Sequence, residues 1–296
     1  MAGQTVTIAH CSVAARLAPG AATHARDNAL EIITSRRNPI VTRCRDAART
    51  NGPDGPMLLE GRHLVDEALA AELPLELVLV TAETTKDADS AGRLQHLERV
   101  TRVVQVPVPV MAAASPADSP SGLLALADRP AVTLEIALAG VTPLVVALVG
   151  VQDPGNTGAV IRAVEAGGAT GVVTVGGADP FGWKALRGAM GSTLRVPIAR
   201  TRDIATLSVA ASARPLRTLA AVPRGGTPIT QADLARPTLL CFGGEGGFDQ
   251  DTVGKADERI SIPMRPPVES LNLAVASALV IYEAARQRSA RPVDTR

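Results

Sequence analysis

Apolar positions along the chain fall into distinct textures. Residues 1–34 are Ala-rich and weakly periodic, and read as a leader with no clear element. From Ser35 the pattern sharpens into a helical stretch through Arg43, Arg45 and Arg49 and a turn at Asn51-Gly52-Pro53-Asp54-Gly55. Strand Met57–Leu59, helix Arg62–Ala71 and strands near Leu77–Thr81, Arg102–Val106 and Gly122–Leu126 follow. Residues 35–128 therefore read as a small α/β unit, and the proline-bearing stretch 129–143 as a linker. From residue 144 short apolar strands alternate with helices. The strands read at Leu144–Val149, Gly171–Val175, Leu216–Val222, Thr238–Phe242 and Ile260–Ile262, and a long helix closes the chain from about Val268 to Arg288. This texture predicts, over 144–290, a mostly parallel sheet covered by helices on both faces. In such sheets ligands bind at the carboxyl ends of the strands.

With 296 residues and 46% hydrophobic content, the chain can build two ordinary cores. Its 30 Lys+Arg against 29 Asp+Glu leave a formal charge of +1, so a polyanionic partner has to meet a local basic cluster. Arg dominates that basic set, and its planar fork suits phosphate. Phe181, Trp183, Phe242, Phe248 and Tyr282 are the only aromatic residues, too few for an RNA-recognition platform that stacks several bases on rings. Cys11, Cys44 and Cys241 are far apart, and His10, His24, His63 and His96 do not pair with them at ligand spacing, so no metal is expected. Cys241, in an apolar strand, is expected to be a packed thiol. Apolar runs too short to span a bilayer, and an N-terminus without a signal-peptide pattern, point to a cytoplasmic protein with no membrane partner.

Three strand ends carry unusual residues. The first is Gly150-Val151-Gln152-Asp153-Pro154-Gly155-Asn156-Thr157-Gly158, running into a helix over Ala159–Glu165. Asn156 or Thr157 is positioned to cap that helix, whose buried stripe Val160, Ile161 and Val164 leaves Arg162 on the other side. A surface pair between Arg162 and Glu165 is an equally ordinary use of that arginine. The second loop, Gly243-Gly244-Glu245-Gly246-Gly247-Phe248, sets one carboxylate among glycines that expose backbone amides. The third runs Pro263-Met264-Arg265-Pro266-Pro267-Val268-Glu269-Ser270-Leu271-Asn272. There Pro267 suits a first helical position, and Leu271, Val275, Ala278 and Tyr282 trace one apolar face. Neither G-x-G-x-x-G nor a P-loop is present, which removes a nucleotide-dependent dehydrogenase.

At these loops the sequence resembles the SpoU (TrmH) family of RNA 2′-O-ribose methyltransferases, in the SPOUT superfamily. Asn156-Thr157-Gly158 with Arg162 matches the first family motif, and Gly243-Gly244-Glu245 the second. Ile262-Pro263-Met264 followed by Val268-Glu269-Ser270-Leu271-Asn272 matches the third. Lys184 to Gly191 and Leu59-Glu60-Gly61-Arg62 are similar to further family segments, so the likeness covers roughly 35–288. It implies a trefoil-knotted sheet preceded by an RNA-binding domain similar to small ribosomal RNA-binding proteins, a homodimer joined partly through the last helix, and S-adenosylmethionine as cofactor. Gly243, Gly244, Ile262, Met264 and Leu271 would form the cofactor pocket, while Arg162, Asn156, Glu245, Ser270 and Asn272 would serve catalysis. Arg36, Arg37, Lys184 and Arg187 are the candidate RNA contacts, although a solvated basic face would look the same. Structured RNA, ribosomal in preference to transfer RNA, is the implied acceptor. A non-catalytic RNA-binding protein that keeps the fold is the alternative.

Overall fold

A computed structural model describes residues 30–49, 55–86, 88–244, 246–248 and 254–290. The first sheet contains β1 (Glu31–Ile32), β2 (Met57–Glu60), β3 (Leu75–Val80), β4 (Arg102–Gln105) and β5 (Leu123–Ala127), in the order β1-β4-β3-β5-β2. Helices α1 (Pro39–Arg49), α2 (Arg62–Ala70), α3 (Ala88–Val100) and α4 (Val108–Ala114) lie between its strands. Val41 and Cys44 of α1 and Val110 and Met111 of α4 pack on Leu58, Leu79, Val104 and Leu124 of the sheet. Asn38 starts α1 by accepting the Ile40 amide at 2.9 Å. The sheet also takes in Glu31–Ile32, inside the stretch expected as leader, because these residues pair with Val104 and Gln105 of β4. The expected turn at 51–55 lies outside the described residues except for Gly55.

The second sheet contains β6 (Leu144–Val149), β7 (Gly171–Val175), β8 (Ile198–Thr201), β9 (Arg217–Ala221), β10 (Thr227–Pro228), β11 (Thr238–Gly243) and β12 (Glu258–Ser261). Its order is β10-β12-β9-β11-β6-β7-β8, and every neighbouring pair is parallel. Helices α5 (Leu134–Ala137), α6 (Pro154–Ala166), α7 (Trp183–Ala189), α8 (Ile204–Ser212) and α9 (Leu273–Ser289) complete it. Strands β6, β7 and β11 are buried almost end to end and apolar apart from Thr174 and Thr238, because both faces are covered. Cys241 is a packed thiol as expected, and burial pushes both it and Cys44 up to about 12.

Three local expectations need correction. Helix α6 starts at Pro154, not Ala159, because Asp153 takes the cap and accepts the Asn156 amide at 2.6 Å. Helix α9 starts at Leu273, not near Val268, because Asn272 caps it and the Pro266–Pro267 stretch stays outside the helix. Its inward residues are Ser277, Val280, Ile281 and Ala284, whereas Val275 and Tyr282 of the expected apolar face are 50% and 55% exposed. Leu279, 46% exposed, joins them in a stripe at i, i+4 and i+7.

Ion pairs join the two sheets. Arg129, within the expected linker, donates to the Gly55 carbonyl at 2.5 Å and to the buried Asp179 carboxylate at 2.8 Å. Arg195 bridges Glu67 of α2 and Glu165 of α6. At the far end of α9, Arg288 donates to the carbonyls of Thr142, Pro143, Leu234 and Arg236, which pins the helix to the amino ends of β6 and β11. Nearby, Glu283 accepts from Arg286 at 2.7 Å and Gln287 at 2.8 Å, bonds that hold its carboxyl at about 2, down from 4.5. A depressed carboxyl stabilises the fold above its unfolded value. That contribution is expected to fade as pH falls from 4.5 towards about 2. Acid titration of Glu283→Gln followed by circular dichroism should show a flatter stability profile across this window than the native chain.

Candidate active site

The parallel arrangement sets the ends of β6, β9, β11 and β12 along one edge. There a cavity of about 640 Å³ opens, within the range of small-molecule sites. Its walls are apolar: Val222, Phe242, Ile260, Ile262, Leu271 and Val280. Its floor is open backbone from Gly243, Gly244, Gly246 and Gly247. Glycine is needed at Gly244, where an added Cβ would stand 2.4 Å from the Gly150 carbonyl oxygen. Gly244 is tied in turn to β6, its amide donating to Val149 at 2.8 Å.

Asn156 and Asn272 are the polar centre. Asn272 accepts the Ala274 and Val275 amides with its side-chain oxygen, at 2.9 and 3.3 Å. That fixes its amide nitrogen, which donates to the Asn156 oxygen at 3.0 Å. Because Asp153 satisfies the α6 cap, the Asn156 side chain is released from the capping role expected of it and faces the cavity instead. Helices α6 and α9 stay together beyond this point, with Gly167, which caps the end of α6, against Ile281 of α9. Asn272→Ala removes the cap and leaves Asn156 unsupported. Expected is a loss of about 1 kcal/mol in chemical denaturation together with a larger fractional loss of any activity centred on Asn156.

Of the sequence-predicted residues, Asn156, Gly243, Gly244, Ile262, Met264, Ser270, Leu271 and Asn272 all line this one cavity. Arg162 does not. It is exposed on α6, further along than Asn156, and has no hydrogen-bond or ion-pair partner among the described residues. Glu165 is bound instead to Arg195, at 2.5 and 2.9 Å, so the surface pair with Arg162 does not form. Glu245 lies outside the described residues. Lys184 and Arg187 are exposed on α7, and Arg36 and Arg37 are exposed before α1. Arg43 pairs with Glu76. Sequence reading missed one wall, Ala221-Val222-Pro223 with Ile229. The strand-end rule could have found it, since it follows β9, but no polar residue marks it. Just beyond, Arg224 and Glu269 approach to 3.8 Å across exposed surface, a pair that contributes little.

Among the described residues no cluster of metal-ligating side chains occurs, and no helix is long and apolar enough to cross a membrane. The SpoU rRNA methylase family model matches residues 143–282, and an MRM3-like substrate-binding domain model matches residues 49–125. An uncharacterised tRNA/rRNA methyltransferase of Synechocystis sp. is 32% identical over 264 residues, spanning 86% of this chain and 94% of its own length. The 23S rRNA (guanosine(2553)-2′-O)-methyltransferase RlmP of Bacillus subtilis is 31% identical over 76% of this chain and 86% of its own. Among solved structures, an RNA 2′-O ribose methyltransferase aligns with a TM-score of 0.74 at 29% identity, covering 87% of this chain and 99% of that one. An AdoMet-bound rRNA methyltransferase from Sinorhizobium meliloti aligns at 0.75 and 27% identity, covering 87% and 98%.

Proposed function

Because the chain belongs to the SpoU family of RNA methyltransferases, we propose that it methylates a ribose 2′-hydroxyl with S-adenosylmethionine, on ribosomal RNA in preference to transfer RNA. The observation that carries the reading is the convergence of three chain-distant loops on one apolar, glycine-floored cavity. Ile262, Leu271, Val222 and Phe242 offer the apolar surface an adenine needs, and the Gly243–Gly244 and Gly246–Gly247 backbone leaves room for polar groups. When bound, the cofactor supplies an electrophilic methyl group carried on a sulfonium.

The remaining work falls to side chains. Asn156, held by Asn272, orients the acceptor ribose or its phosphate, and Ser270 with Asn272 completes the polar lining. Arg162 stabilises the negative charge that grows on the ribose oxygen. A guanidinium already holds its proton at neutral pH and cannot accept another, so Arg162 acts through its charge and the hydroxyl proton leaves to water. Its position away from the cavity wall supports a homodimer in which the site is shared between subunits, and the exposed Val275, Leu279 and Tyr282 stripe supports α9 as part of the interface. The C-terminal segment, which leaves β12, passes the Gly243–Phe248 loop and returns α9 to α6, is assigned a trefoil knot on the family's pattern.

Thermal unfolding tests the cofactor assignment without needing the RNA. S-adenosylhomocysteine at a hundredfold excess over its Kd is expected to stabilise the chain by about 2.7 kcal/mol, and NAD not at all. No shift with S-adenosylhomocysteine, or an equal shift with NAD, would remove the reading. A shift without methyl transfer to any RNA would favour the non-catalytic RNA-binding alternative.

A further inference from the structure

We propose that Trp183, with Lys184 and Arg187, forms a base-stacking contact for the acceptor RNA, an inference that rests on the RNA-methyltransferase reading above. The rings are few, and most have other employment. Phe181 and Phe242 are buried, Phe248 packs against the sheet core, and Tyr282 belongs to the α9 stripe. Trp183 is half-buried on the first turn of α7. The Arg187 guanidinium lies 5.6 Å and the Lys184 ammonium 5.8 Å from its ring centroid. Neither cation has a carboxylate partner among the described residues. In a chain of formal charge +1, two uncompensated cations gathered on the single indole form a local basic and aromatic patch.

The place of α7 gives that patch its use. It packs closely on α6, the helix that carries Asn156: Gly188 lies against Gly155, and a Cβ on Gly158 would meet the Ala185 carbonyl oxygen. On its other side α7 contacts β2 of the first sheet. Close by, His63 of α2 lies 3.1 Å from the carbonyl of Met190, itself 42% exposed. RNA held by both the first sheet and the cavity edge passes over α7. An indole stacks on any base, so the contact contributes affinity and placement, not base identity, while the two cations meet the flanking phosphates.

Because Trp183 is the single tryptophan, its emission reports this contact alone. The full chain is titrated with a short single-stranded RNA of mixed sequence and with an abasic oligomer of equal length, binding being followed by anisotropy of labelled oligomer. Expected is quenching of Trp183 by the RNA and little change with the abasic oligomer. Trp183→Ala is expected to weaken RNA binding about tenfold, and Trp183→Phe to retain most of the affinity. Lys184→Ala with Arg187→Ala should lower the salt slope by about two. RNA bound with unchanged indole emission, or Trp183→Ala binding as tightly as the native chain, overturns the contact and leaves the methyltransferase reading standing. Failure of the RNA to bind overturns it too, and a missing S-adenosylhomocysteine shift would then take that reading down with it.

Discussion

Arg162→Ala is expected to lower methyl transfer about a hundred- to thousandfold while S-adenosylhomocysteine binds as before. The residue is not among those lining the cavity and has no partner among the described residues, so its removal should cost neither cofactor affinity nor stability. A surface arginine used only for solubility would leave turnover unchanged, and that outcome would dismiss the assigned role. Mixing experiments decide which subunit it serves. Leu271→Arg fills the cofactor cavity but keeps Arg162, whereas Arg162→Ala keeps the cavity. If Arg162 acts across a dimer, co-refolded mixtures of the two inactive variants regain partial activity, because one shared site per mixed dimer is whole. If it acts within its own chain, the mixture stays inactive.

Gly158→Ala carries the largest expected effect on stability, and two forces oppose each other there. Alanine is the better helix former by about 1 kcal/mol in a helix interior such as α6. The added Cβ, however, would stand 2.2 Å from the Ala185 carbonyl oxygen and 2.9 Å from the Ala189 amide nitrogen. Both are backbone atoms of α7 and cannot swing away, so α6 and α7 would have to separate along their whole contact. The clash is expected to win, leaving a net destabilisation of about 2 kcal/mol or more and a Tm lower by about 5 °C or more. A calorimetric scan showing equal or higher Tm would mean that the α6–α7 crossing is looser than the structure places it. The same helix pair positions Asn156 and the Trp183 patch, so this variant should weaken RNA binding as well.

How much of this was legible in the sequence follows from burial. Strands β6 and β7 are covered on both faces, and their apolar runs, broken only by Thr174, mark them from end to end. Strands β8 (Ile-Ala-Arg-Thr) and β10 (Thr-Pro) lie at the sheet edges, where half the residues face outwards and no pattern survives. Over Leu273–Tyr282 helix α9 is apolar almost all round, which offers the periodicity two faces. The expected one, through Val275 and Tyr282, is the exposed one, and Ser277, Val280, Ile281 and Ala284 turn inwards. The site was easier, because three strand-end loops bearing glycines and short amides follow one another in one order, although each alone could be a plain turn or cap. Its cap was harder. Asp153, Asn156 and Thr157 can all serve, and only the geometry shows that Asp153 does, leaving Asn156 to Asn272. The first strand, Glu31–Ile32, is exposed on both residues and gave no signal apart from its pairing with β4.

The fate of a labelled methyl group decides whether the cavity serves ribose methylation. The native chain is incubated with S-adenosylmethionine labelled in its methyl and with ribosomal RNA lacking modifications, and the RNA is then hydrolysed in alkali. A methylated 2′-oxygen can no longer attack the adjoining phosphate, so the label should appear in alkali-resistant dinucleotides and vanish in Arg162→Ala. Label recovered in mononucleotides would place the methyl on a base, and no label in any RNA offered would contradict the account of the cavity itself.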